Sequence, residues 1–105
     1  MIKVSVLYPN RPGVRFDLDY YCATHLPLVR QCLGEACLAV EVDQGLASDR
    51  PGSVAPFVAM GHLLFASVEA FQAAFAPHAE RIMGDLPNFT DAVPLVQISA
   101  VRQGR

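Results

Sequence analysis

In the stretch DLDYYCATHLPLV, Asp17 to Val29, a histidine stands where an apolar residue would ordinarily complete a helix face. At about 100° per residue, His25 falls near the middle of an arc formed by Leu18, Tyr21, Cys22, Val29 and Cys32. An imidazole held there is shielded from water, resists protonation and is available as a neutral general base near pH 7. Tyr21 lies one turn earlier on the same side, where its hydroxyl could orient a substrate or anchor a ligand oxygen. Pro27 has no N–H to offer the carbonyl of Ala23, so a bend is expected beside the histidine, and a bend can open space between helix and sheet. The plainer alternative is a core histidine that donates one N–H to a backbone carbonyl freed by Pro27. The residues alone leave both open.

Two other histidines accompany it. His78 follows Pro77 at the end of a second helix and shares an edge with Phe71, Phe75 and Ile82 if the helical phase survives the proline. It is a second candidate for orienting a substrate, or a helix-end histidine interacting with the dipole. His62 lies on an apolar strand, where a register slip of one residue would exchange its faces. Tyr8, Phe16, His62, Phe71, Phe75 and Met83 are the candidate ligand-contacting residues, the aromatic ones being equally at home as plain core. No His-x-His, His-x-x-x-His or adjacent carboxylate pattern marks a metal site. A haem is disfavoured too, and no glycine-rich phosphate loop or dinucleotide fingerprint is present. The expectation is chemistry without a bound cofactor or metal. Cys22, Cys32 and Cys37 form no CxxC pair and are expected to be buried small hydrophobes in a reducing compartment.

These side chains need elements to position them. Ile2, Val4, Val6 and Tyr8 alternate with Lys3, Ser5 and Leu7, predicting a strand closed by Pro9 and a turn through Asn10-Arg11-Pro12-Gly13. Asp17 is an N-cap for a helix that ends at Gly34, with Tyr20 on its outer side. A second strand is expected over 36–46 and a loop over 47–53. A third strand over 56–65 is apolar on both faces. Ser67 caps a second helix carrying Val68, Phe71, Phe75, Ala79 and Ile82 inward, interrupted at Pro77. Asp85-Leu86-Pro87-Asn88 turns the chain into a last strand over 94–101. The order βαββαβ predicts an α+β, ferredoxin-like single domain over 1–105. Its four-stranded antiparallel sheet carries both helices on one face.

Composition adds a partner. The 105 residues are 52% hydrophobic and 17% charged, against roughly 45–50% and about 25% in average soluble domains. A sheet face left bare by the helices and apolar on its third strand is expected to meet the same face of a second copy. Net charge is −2, and the eight basic residues form no cluster. Nucleic-acid binding is therefore set aside. No run approaches the roughly 20 apolar residues of a membrane helix, and the N-terminus MIKVSVLYPN has no signal-peptide core. A cytoplasmic homodimer is expected.

The strings VLYPNRPGVRFDLDYYCATHLPLV, PFVAMGHLLFASVEAFQAAFAPHAERIMGDLPNFTD and PLVQIS resemble the EthD family, named for ethyl tert-butyl ether degradation. Tyr20-Tyr21 and His25-Leu26-Pro27 match its YY-x-x-x-H-x-P string. The resemblance implies the dimeric α+β barrel superfamily and a role in oxidative catabolism of ethers or other small organic molecules. On that reading the chain is a cofactor-independent oxidoreductase of monooxygenase type, or a lyase, cyclase or isomerase. It would hold a small apolar oxygen-containing molecule and use His25 for proton transfer, with Tyr21 or His78 orienting the substrate. The alternative is a non-catalytic ligand-binding or accessory module supporting an oxygenase system.

Overall fold

The structure, a computed structural model, describes residues 1–103. Strand β1 (Ile2–Pro9) leads to a continuous helical stretch: α1 (Leu18–Tyr20), a π-helical turn (Tyr21–His25) and α2 (Leu26–Leu33). Strands β2 (Ala39–Gln44) and β3 (Phe57–Phe65) follow, then α3 (Val68–Phe75), a 3₁₀ turn (Ala76–His78) and α4 (Ala79–Gly84). A further 3₁₀ turn (Leu86–Asn88) precedes β4 (Leu95–Ala100). The strands form one antiparallel sheet in the order β2-β3-β1-β4. This is the ferredoxin-like arrangement expected from the sequence. The second strand is shorter than expected, because Gly34–Ala36 closes the first helix as a 3₁₀ turn.

Both predicted caps form. The Asp17 carboxylate accepts from the Tyr20 amide at 3.0 Å, and the Ser67 hydroxyl accepts from the Ala70 amide at 3.0 Å. Strand parity divides the sheet cleanly. Ile2, Val4, Val6 and Tyr8 of β1 pair with Phe65, Leu63, Gly61 and Ala59 of β3 on the helix-covered side. One end of this layer is packed around Val4, Val29, Leu33, Phe65 and Ile82, the other around Tyr8, Tyr21, Ala59, Phe89 and Ala92.

The π turn corrects the helical phase. The Leu26 amide reaches back five residues to the Tyr21 carbonyl, a wider turn than an α-helix makes. Tyr21, His25, Val29 and Leu33 become the buried stripe, spaced four residues apart. Cys22, expected inside, is exposed; Tyr20, expected outside, is half-buried. A uniform angle per residue cannot anticipate this, because the extra residue in the turn rotates what precedes it.

On the other sheet face, Lys3, Ser5 and Leu7 lie beside Leu64, His62 and Met60. Here His62 resolves its ambiguity: its ring sits on the face away from the helices. Nδ1 meets the Ser5 hydroxyl at 2.8 Å and Nε2 lies 3.3 Å from the Asp43 carboxylate.

Candidate functional site

His25 is 3% exposed, so the sequence correctly placed it inside. Its partner is not the backbone carbonyl of the plainer alternative. Nδ1 lies 2.8 Å from Oδ2 of Asp85, a residue that follows α4 and was expected only to turn the chain. Two more donors converge on that carboxylate: the Tyr20 hydroxyl at 2.7 Å and the Asn88 side-chain amide at 2.9 Å, both on Oδ1. Burial works against charge on Asp85, but the hydrogen bonds from Asn88, His25 and Tyr20 outweigh it and hold the carboxyl below its ordinary value. An ionised Asp85 accepts a hydrogen bond from Nδ1–H and so fixes the tautomer, leaving the Nε2 lone pair for a ligand. Burial keeps the His25 pKa below the ordinary histidine value, although the hydrogen bond and charge of Asp85 pull the other way.

The ring is also held mechanically. Phe89, fully buried, sits with its centroid 4.6 Å from that of His25, and Tyr21 stacks on the imidazole at 5.6 Å and 18°. Tyr8 meets Tyr21 edge-on at 5.6 Å, with Phe16 packed against both at 5.0 and 5.2 Å. Gly61 makes room for this group. A methyl group on its Cα would run into the Tyr21 hydroxyl, so a side chain there would push the ring out.

These residues border a cavity of about 90 Å³ between the helices and the sheet. Its wall includes Tyr8, Tyr21, His25, Phe71, Phe75 and Met83, six of the residues singled out from the sequence. His62 also borders it, but with its imidazole committed on the opposite sheet face. Phe16 stands behind Tyr8 and Tyr21, and His78 does not border the cavity. Outward of it, an open groove of about 440 Å³ runs along Arg15, Pro87 and Asp91 and shares Met83, Leu86 and Pro94 with the cavity wall. Met83, on this shared wall, is 45% exposed. Asp85, Tyr20 and Phe89 were missed by sequence reasoning. The Asp85–His25 contact joins positions 60 residues apart, and local periodicity carries no signal for it.

Among the described residues, no three His, Cys, Asp or Glu side chains gather as a metal ion would require. None of their helices is long and apolar enough to cross a membrane.

With the geometry in hand, comparison with known proteins is decisive for the family. The EthD domain model matches residues 15–92, which hold His25, Asp85 and Phe89. The chain belongs to the EthD family. A crystal structure of an EthD-like protein from Ralstonia eutropha is 45% identical, covering 99% of this chain and 94% of its own, with a TM-score of 0.96. An EthD-family protein from Bacillus halodurans shares 18% identity over 95% and 97% of the two chains, with a TM-score of 0.66. An antibiotic biosynthesis monooxygenase has the same fold at 16% identity, over 95% and 97% of the chains, with a TM-score of 0.50. No curated protein matches. The fold is thus that of the dimeric α+β barrel superfamily, as the sequence strings suggested.

Proposed function

We propose that this EthD-family protein is an enzyme acting on a small, mainly apolar, oxygen-containing molecule, with His25 moving a proton inside a shielded cavity. The observation that carries this is the Asp85–His25 pair. A neutral imidazole, oriented by an ionised carboxylate and bordering an apolar cavity, meets the requirements of a general base. Asp85 is a positioning residue: it fixes the tautomer and stabilises the imidazolium that forms when His25 takes a proton. Tyr20 and Asn88 keep that carboxylate ionised and aimed.

No nucleotide or metal is needed for such a step. The fold shared with a monooxygenase supports an oxidative outcome, in which a carbanion formed at His25 reacts with dioxygen. The test is turnover of small ketones, phenols and ethers by wild type and by His25→Gln. A loss of roughly 10²–10⁴-fold is expected in the variant. A folded His25→Gln protein with undiminished turnover would remove His25 from the mechanism. One that binds ligand as wild type does, when neither protein turns anything over, would favour the accessory-module alternative.

The bare sheet face supports a homodimer. It carries Leu7, Met60, Leu64 and Leu95 beside the Ser5–His62–Asp43 cluster, and Leu95 is 56% exposed. A second copy meeting the same face would cover these side chains, as in other members of this superfamily. Sedimentation at micromolar concentration gives the mass of two chains on this reading; a single-chain mass would overturn it.

A further inference from the structure

We infer that the Tyr8–Tyr21 hydroxyl pair is a binding site for the oxygen of a carbonyl substrate, holding the adjacent C–H bond toward His25. This rests on the reading of His25 as a base and narrows the substrate class at the same cavity. It also departs from what the family's name suggests, for the substrate group it selects is not an ether.

Count the protons. Tyr8 and Tyr21 are each 2% exposed, both border the cavity, and their rings pack edge-on with centroids 5.6 Å apart. Between two hydroxyls at most one O–H can be used, so at least one of the pair is left to donate elsewhere. A buried donor without an acceptor costs about 1–3 kcal/mol, so an oxygen entering the cavity that both tyrosines border would be a favourable partner for that O–H. Most of the remaining cavity wall is hydrocarbon: Val4, Val6, Leu26, Val29 and Leu33 among others. In such surroundings the hydroxyl pair and His25 are the groups that can orient a polar ligand. Burial raises both phenols, Tyr21 to about 12 and Tyr8 beyond it, so both remain hydrogen-bond donors at neutral pH.

Donor and base must serve one molecule. Tyr21 and His25 stack with centroids 5.6 Å apart and border the same cavity, so one small ligand can be within reach of both. An ether oxygen could accept the hydrogen bond, but its neighbouring C–H bonds are not acidic enough for an imidazole to break. A carbonyl oxygen makes the adjacent C–H acidic. His25 Nε2 takes that proton, the C–H electron pair becomes the C=C bond of an enolate, and the carbonyl π pair moves to oxygen. The tyrosine hydroxyls then hold the developing negative charge, the task of a preorganised oxyanion site. Return of the proton to the same carbon gives exchange; its return to a conjugated carbon gives isomerisation. Neither needs an oxidant. A cavity of about 90 Å³ admits only the small carbonyl end, and the groove that shares Met83, Leu86 and Pro94 with its wall is where the rest of a larger molecule would lie.

The probe is pentane-2,4-dione labelled with ¹³C at its carbonyls, followed by NMR in D₂O with the full chain. Wild type is expected to shift the carbonyl resonance on binding and to accelerate deuterium uptake at the central carbon. Tyr21→Phe and Tyr8→Phe keep the rings and remove one hydroxyl each; a loss of about 10²–10³-fold in exchange is expected, with the bound carbonyl shift reduced. His25→Gln should still bind the dione and shift its carbonyl while losing exchange. If both phenylalanine variants exchange at the wild-type rate while His25→Gln is inert, the carbonyl-binding role is overturned and the base survives. If His25→Gln exchanges at the wild-type rate while the phenylalanine variants do not, the base fails and the tyrosine site stands. A wild-type protein that neither shifts nor exchanges the dione overturns the inference without recourse to any variant.

Discussion

At the scale of single residues, the site is a contest between burial and hydrogen bonding, and the outcome at His25 is a neutral imidazole. Its pKa lies below about 6.5, the ordinary histidine value. Proton transfer from a substrate should therefore rise with pH through an inflection below 6.5 and stay flat above it. Asp85→Asn removes the charge and the hydrogen bond that pull the His25 pKa upward. Its inflection should move lower still, with the plateau down roughly 10–100-fold, the usual cost of losing an orienting partner. A purely structural Asp85 would leave the inflection where it is. Stability has a matching sign. Between the folded pKa of His25 and about 6.5 the unfolded chain binds more protons, so stability falls as pH drops through that window. Thermal unfolding of His25→Gln should show a shallower fall there. Gly61→Ala drives a methyl group against the Tyr21 hydroxyl and should destabilise by about 1–3 kcal/mol, as overpacking does. A lowered Tm is the check. At this scale the sequence disclosed that His25, Tyr21 and Tyr8 lie inside, because burial follows periodicity. It did not disclose Asp85, since a polar turn residue reads the same whether or not a histidine waits across the fold.

At the scale of elements, Pro27 was read as a disturbance of the helix, and an irregular turn is found beside it. The helix accommodates it as a π turn just upstream, and that turn sets which side chains face the sheet. Pro27→Ala restores an N–H that can pair with the Ala23 carbonyl. Relief of a proline in a helix is worth up to about 3 kcal/mol, so the variant should melt at a higher temperature. If the turn relaxes toward α geometry, His25 rotates away from Asp85 and the rate falls. A variant with higher Tm and an unchanged rate would show that the π turn positions nothing. The strands were more legible than the helix, because alternation tolerates local irregularity while a helical stripe accumulates every extra residue as rotation. The face of His62 was beyond reach, as parity depends on register, which only pairing with β1 settles.

At the scale of the whole molecule, the βαββαβ order was written in turn residues, caps and alternation. The strand order followed from topology rules rather than from any one residue. The bare sheet face is less uniformly apolar than the third strand alone suggested, since Ser5, His62 and Asp43 cross it. Leu64→Glu separates assembly from folding: the new carboxylate lies opposite Lys3 of the same chain, a favourable cross-strand pair. The variant should keep its Tm within about 1 kcal/mol equivalent and sediment as a single chain; a surviving dimer would put the interface elsewhere. The gathering of aromatic rings around His25 has a further, optical consequence. The chain has no tryptophan and three tyrosines, and all three, Tyr8, Tyr20 and Tyr21, belong to this one cluster. Its near-ultraviolet absorbance and intrinsic fluorescence thus arise chiefly from the site itself. The unlabelled protein carries its own chromophores where a ligand would arrive, so occupancy can be followed by light alone.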